Sequence, residues 1–316
     1  MGTRRPHYRS LPRRFRRPAV LVLGCGDVGL RFARAQAHRM RVIGVVRRAE
    51  AADAVRAAGA VPIRADLDDR RTLRRLAGLA PRVLHSAPPP GEGRDDPRTR
   101  RALAALHAAR IWVYFSTTGV YGDCGGASFD ETRAVAPRND RAVRRVAAER
   151  RLRRRAATGA IRVTVLRVPG IYAAERLPIE RLQRGTPALL DADDVHTNHI
   201  HADDLARIAS VTMWRGRSQR TVHAVDDTTM KMGQYFDAVA KAFDLPRPPR
   251  LSRETLRAAV SPVLWSFMSE SRRLDNRRLR RELRVRLRWP TVDTFLRAHG
   301  TSRGPGGAPS AGSPVL

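Results

Sequence analysis

The chain is 316 residues long and carries 61 lysines and arginines against 30 aspartates and glutamates, a formal charge of +31. A hydrophobic content of 42% excludes a disordered chain, and the length suits one large α/β core or a core plus a smaller lobe. No apolar run nears the roughly 20 residues that span a bilayer, and Cys25 and Cys124 have neither metal-ligand spacing nor a disulfide framework, which predicts a cytoplasmic chain.

Residues 1–18 contain seven arginines and no acid, which predicts a basic, flexible arm. The body then alternates short apolar strands with amphipathic stretches, the pattern of a parallel sheet covered by helices. Strands are predicted at Ala19–Leu23, Arg41–Val46, Val61–Arg64, Arg82–Ser86, Ile111–Ser116 and Ile161–Leu166. Helices are predicted at Val28–Arg39, Ala49–Ala58, Arg71–Leu79 and Thr99–Ala109, and a long one at Arg138–Ala157. The alternation weakens after Tyr172. A strand returns at Thr221–Val225, followed by helices near Met232–Phe243, Arg253–Ala259 and Asn276–Leu283. The expected organisation is a doubly wound sheet over 19–172, to which 197–228 returns, and a mostly helical lobe from 173–196 and 229–299. Residues 300–316 read as a glycine-rich tail.

The first strand runs into Gly24-Cys25-Gly26-Asp27-Val28-Gly29, with a helix pattern directly behind. This is the dinucleotide-binding fingerprint in its required strand-to-helix context. Gly24 permits the tight turn, Gly26 lets backbone approach a pyrophosphate, and Gly29 lets helix and strand pack closely. The helix start points free N–H groups and a positive dipole end at the phosphates. A competing reading of Cys25 as a lipoprotein cysteine, with Arg13-Arg14 as a twin-arginine start, is weak. The preceding apolar stretch has only five residues, short of the roughly 7–15 of a secretory signal.

All but Lys231 and Lys241 of the basic residues are arginines. The excess predicts weak, salt-sensitive association with polyanions. With aromatics at 5% and not interleaved with the arginines, no stacking platform for specific nucleic-acid binding is expected.

Five ordered motifs then carry a family resemblance over about residues 19–298. They are the glycine loop; Ala65-Asp66-Leu67-Asp68; Phe115-Ser116-Thr117-Thr118-Gly119-Val120-Tyr121-Gly122-Asp123; Leu166-Arg167-Val168-Pro169-Gly170-Ile171-Tyr172; and Asn198-His199-Ile200-His201-Ala202-Asp203-Asp204-Leu205-Ala206. The chain resembles the atypical extended short-chain dehydrogenases of the NAD-dependent epimerase/dehydratase family. The resemblance implies a Rossmann-type fold in which Gly24, Gly26 and Gly29 cradle the pyrophosphate. It also implies that Asp66 and Leu67 meet the adenine, that Ser86 and Ala87 line the cofactor, and that Pro169 and Gly170 sit by the nicotinamide.

An acid at the end of the second strand would hold the ribose 2′-hydroxyl of NAD. This chain has Val45-Val46-Arg47-Arg48 there. A guanidinium grips a 2′-phosphate through charge-assisted bonds, so NADP is favoured over NAD.

The family's chemistry uses a Ser or Thr, a Tyr and a Lys. Thr117 matches the first. The Tyr-x-x-x-Lys frame falls on Arg141 and Arg145, with Glu149 following. Arginine stays protonated, so Arg141 cannot exchange a proton, whereas Arg145 could hold a ribose hydroxyl or a phosphate. Tyr121 and Tyr172 are the tyrosines in the motif loops that stand as candidates for the missing role. The alternative reading makes Arg141, Arg145 and Glu149 a solvated charged face. His196, His199 and His201 invite a metal reading, but the resemblance explains His201-Ala202-Asp203-Asp204 as a structural loop beside the substrate cleft, with His199 or His201 as an alternative substrate contact or proton donor. Asp203 is expected to cap a helix starting at Asp204.

The expected protein is an NAD(P)-dependent oxidoreductase or epimerase-like enzyme acting on a small carbonyl or sugar-nucleotide-type substrate, without metal, and a candidate homodimer. The alternatives are a cofactor-binding sensor or scaffold without turnover, and a nucleic-acid-associated protein suggested by nine arginines between Arg272 and Arg288.

Overall fold

A computed structural model of the chain describes residues 17–301. The expected arm and tail therefore fall almost wholly outside the described residues.

Seven strands form one all-parallel sheet: β1 (Ala19–Leu23), β2 (Arg41–Val46), β3 (Val61–Arg64), β4 (Arg82–His85), β5 (Ile111–Thr117), β6 (Arg162–Val168) and β7 (Arg220–His223). Their order is β7-β6-β5-β4-β1-β2-β3. Residues Val20 to Leu23 of β1 are all buried, so they read as a continuous apolar run, as a sheet covered on both faces requires.

Each face packs its own helices. On one, Phe32 and Ala33 of α1 (Asp27–Gln36) join Leu205, Ile208 and Met213 of the helix Ala202–Arg215 against Val20, Val22 and Val42. On the other, Leu73 of α3 (Arg70–Arg74), Ala102 of α4 (Pro97–Ala105) and Leu152 of α5 (Asp140–Ala157) cover Leu21, Leu23 and Val83. Helix α2 (Ala51–Ala57) buries Val55. The strand order reverses between β1 and β4, and a crevice opens at that switch point.

Several boundaries move for local reasons. The α5 start shifts to Asp140 because the Asn139 side chain accepts from the Ala142 N–H at 2.9 Å. Helix α4 begins at Pro97 because Asp96 caps it, accepting from Thr99 N at 3.1 Å, and proline suits the first helical position. The expected Arg71–Leu79 helix stops at Arg74, short of Gly78 with φ of 73°.

The lobe has its own core, in which Leu182, Tyr235, Phe236, Leu256, Phe295 and Leu296 meet Tyr172. Two short strand pairs tie it to the sheet domain, Ser128–Phe129 beside Arg273–Leu274 and His196–Thr197 beside Met230–Lys231, while Gly170–Tyr172 runs beside His199–His201 at the sheet domain's edge. The histidine segment is thus two short strands joined at Asn198, whose side chain holds Arg272 O and Leu274 N. Among the described residues no helix is long and apolar enough to cross a membrane.

Candidate active site

A cleft of about 700 Å³ opens at the switch point. The loop from β1 to α1 forms its floor. Gly24 has φ of 84°, and a Cβ there would sit 2.6 Å from the Ala87 backbone. Ser86 tightens this corner, its Oγ donating to Leu23 O at 3.1 Å and Gly24 O at 2.9 Å. A Cβ on Gly29 would lie 3.2 Å from Val22 Cγ1 and from Gly24 O, so glycine there sets how closely α1 approaches β1.

Gly26 is different. A Cβ at this position would meet nothing within 4 Å among the described residues, so none of them stands against it. Leu30 N donates to Gly26 O at 2.7 Å and opens α1, leaving the first-turn N–H groups to face a ligand. An open glycine beneath a helix N-terminus fits a pyrophosphate.

Cys25 and Val28 line the same cleft. Burial pushes the Cys25 thiol up to about 11, so it stays protonated and acts as packing. Asp27 is bound from both sides, by Arg31 Nε at 2.8 Å and by Arg176 Nη1 at 2.6 Å. Burial opposes its charge, but these two partners outweigh burial and hold the carboxyl below its usual range. Arg31 also grips Asp203 at 2.5 Å and Glu175. The network binds the lobe turn at 174–176 to the start of α1.

Arg47 and Arg48 are exposed and line the far end of the cleft, past β2. Asp66 and Leu67 line neither cleft described here. The Asp66 carboxylate accepts from Asp68 N at 2.9 Å in a turn, and Leu67 is buried beside Leu73 and Leu76. Ala87 is likewise the wall behind Gly24, and Pro88 reaches the cleft in its place.

A second cavity of about 380 Å³ adjoins the first, between the sheet domain and the lobe. Thr117, Arg141, Pro169, Ile171, Arg176 and Phe267 line both. Gly170, Tyr172, His196 and His199 face only the second. Thr117 Oγ1 accepts from Gly119 N at 3.2 Å, which fixes the hydroxyl at the junction. Ser116, not singled out by sequence, lines the first cleft with a buried Oγ that has no partner among the described residues.

The family model for the NAD-dependent epimerase/dehydratase family matches residues 20–228. The chain belongs to that family. No curated protein matches it. Among solved structures it is similar to a conserved protein of unknown function from Silicibacter pomeroyi DSS, with 29% identity, TM-score 0.75, and coverage of 89% of this chain and 97% of that one. It is also similar to MoeE5, solved with UDP-glucose and NAD, at 22% identity and TM-score 0.69, covering 88% and 96%. A dTDP-glucose 4,6-dehydratase from Bacillus anthracis, solved with NAD, shares 14% identity and TM-score 0.72, covering 89% and 94%. The last two likenesses concern the fold.

Within the family frame, Arg141 and Arg145 stand one helical turn apart on α5. Arg145 lines the first cleft and is anchored, donating through Nη1 to Phe115 O at 2.6 Å and Tyr114 Oη at 3.2 Å. Arg141 stacks its guanidinium 4.3 Å from the Phe267 ring centre. Glu149 departs from the solvated face. It is buried and accepts from Arg167 at 3.1 Å and 2.8 Å.

Tyr121 cannot reach either cavity. It is 1% exposed, its hydroxyl accepts from Arg167 Nη1 at 2.6 Å, and it meets His223 Nε2 at 2.6 Å. Burial, only partly offset by Arg167, pushes its pKa up to about 12. This tyrosine is a core strut rather than a proton donor. Tyr172 does line the second cleft, but burial raises its pKa far above the usual phenol range.

His199 is pushed down to about 4 by burial, so its ring is neutral at physiological pH, 4.4 Å from the Tyr235 ring. Asp203 is not the cap of its helix. That is His201, whose Nδ1 accepts from Asp203 N at 3.2 Å, which frees the Asp203 carboxylate for Arg31. No metal-holding group of three or more His, Cys, Asp or Glu side chains occurs among the described residues.

Sequence reading missed Phe267, Arg176, Arg181 and Tyr235. All four come from the lobe, where no motif marks them, although Ser261-Pro262 does signal the start of the helix Pro262–Met268 that carries Phe267.

Proposed function

We propose that this protein is an NADP-dependent oxidoreductase or epimerase-like enzyme whose cofactor occupies the first cleft and whose substrate enters the second. The carrying observation is Gly26, open to the cleft at a helix start, with two arginines and no acid at the end of β2. Exposed Arg47 and Arg48 would attract a 2′-phosphate that a carboxylate would repel. The bound nicotinamide would supply a hydride acceptor or donor. The chain's own residues then orient the partners. The Thr117 hydroxyl, fixed by Gly119 N, would hydrogen-bond the substrate oxygen. Arg145, tied to the Phe115 carbonyl, would hold a ribose hydroxyl or phosphate oxygen.

The substrate class is a carbonyl or sugar-nucleotide-type molecule. Its support is the size of the second cleft and the UDP-glucose bound to the MoeE5 structure. Calorimetric titration tests the cofactor choice. NADP should bind about tenfold or more tightly than NAD, since a hydrogen bond to a charged group is worth about 1.5–3 kcal/mol. Arg47→Ala with Arg48→Ala should erase the difference.

A second reading, a cofactor-binding protein without turnover, is favoured by Arg141 at the family's tyrosine position. A panel of carbonyl compounds and sugar nucleotides, followed by nicotinamide absorbance, separates the two. Turnover supports the enzyme, and silence with tight NADP binding supports the sensor.

A further inference from the structure

The second cleft is lined by four arginines, Arg141, Arg176, Arg181 and Arg272, and one acid, Glu270. Two of the four are neutralised. Arg176 pairs with Asp27 at 2.6 Å, and Arg272 pairs with Glu270 at 2.7 Å. Arg141 and Arg181 have no ion pair among the described residues.

Both unpaired arginines bear a penalty for their place. Arg181 is pushed down to about 10 by burial, with no acid among the described residues to offset it. Its Nε is buried without a partner, while the group stacks 4.2 Å from the Phe236 ring centre. Arg141 is also held below its ordinary range, first by burial and next by the like charge of Arg145, with Arg144 and Arg272 adding to it. Glu270 is the acid that opposes this, and Arg272 already holds it. Positive charge concentrated against low-dielectric walls and left uncompensated attracts an anion.

Arg141 also sits where both cavities meet, beside Thr117 and Pro169. Its guanidinium carbon lies over the Phe267 ring, 4.3 Å from the ring centre, at that junction. A planar fork matches a carboxylate through two parallel bonds.

We propose that the second cleft selects a substrate carrying a carboxylate at its reacting end, held by Arg141, with Arg181 adding positive field deeper in the cleft. This rests on the reading of the first cleft as the cofactor site, which places the reacting end at the junction. In that role Arg141 replaces proton exchange with anion binding, and the substrate's charge completes an ion pair that the protein leaves open.

Malonate is the test probe, titrated calorimetrically into the full chain with and without NADP in 150 mM salt, beside inorganic phosphate and the uncharged analogue malonamide. The expected result is malonate binding that weakens about tenfold or more in Arg141→Gln and in Arg181→Gln. Arg184→Gln, which alters an exposed arginine paired with Glu180 outside the cleft, should bind like the parent chain. Circular dichroism checks that each variant is folded. Equal malonate binding in all variants, or phosphate binding without malonate binding, overturns the proposal. NADP binding with no malonate binding overturns it while the cofactor reading stands. Arginine-dependent malonate binding with no NADP binding leaves the anion site and removes the cofactor reading.

Discussion

Removing one side of the Glu149–Arg167 pair should damage the fold more than any surface change. Arg167 donates to both carboxylate oxygens of Glu149, at 3.1 Å and 2.8 Å, and the two side chains are 3% and 2% exposed. Its third nitrogen donates to Tyr121 at 2.6 Å. The pair locks α5, which carries Arg141 and Arg145, to β6, which leads into Pro169 and Gly170. In Arg167→Met, Glu149 keeps only Arg153 at 3.2 Å, a partner with a 33% exposed side chain. A buried charge left without its main partner costs about 3–5 kcal/mol. That is roughly two to nearly four orders of magnitude in the unfolding equilibrium. Urea unfolding followed by tryptophan fluorescence reads it directly. The double variant Arg167→Met with Glu149→Leu should recover much of the loss, because no uncompensated charge remains. A loss below about 1 kcal/mol, the scale of an exposed pair, would refute the reasoning.

Gly24→Ala should cost at least about 1–2 kcal/mol, since an alanine must enter left-handed backbone and its Cβ would press on Ala87 at 2.6 Å; an unchanged melting temperature would contradict this. Asp226 gives a pH signature. Burial raises its carboxyl to about 7, against about 3.9 in an unfolded chain. The folded state therefore holds this proton more tightly, and stability is lost as pH rises from about 4 to about 7. Relative to Asp226→Asn, the parent chain should weaken across that window and level off above it; parallel stability–pH curves would exclude the effect. Arg145→Met should weaken NADP binding while Tyr121→Phe leaves it unchanged, because only Arg145 lines the first cleft; isothermal titration of both variants checks the contrast.

The sheet domain was legible because its signals are local. Ala19–Leu23, Arg41–Val46 and Val61–Arg64 match their strands residue for residue, each an apolar run closed by glycine or arginine. The glycine loop was legible because each glycine answers a backbone demand. The departures come from pairings between distant motifs. Glu149 reads as a surface acid until Arg167, 18 residues on, is packed against it. Tyr121 reads as an available hydroxyl until His223, 102 residues away, closes on it. Asp203 reads as a cap until Arg31, 172 residues earlier, claims its carboxylate. The substrate side was least legible, since Phe267, Arg181 and Tyr235 are brought in by lobe packing that no periodicity encodes.

The central claim, that the open glycine at the start of α1 receives a dinucleotide, is tested most directly by Gly26→Ala. Gly26 has an ordinary φ of −87°, and its Cβ would meet nothing within 4 Å. The variant should therefore melt with the parent chain, while a methyl against the pyrophosphate lowers NADP affinity about tenfold or more. Equal NADP affinity at equal stability would contradict the account.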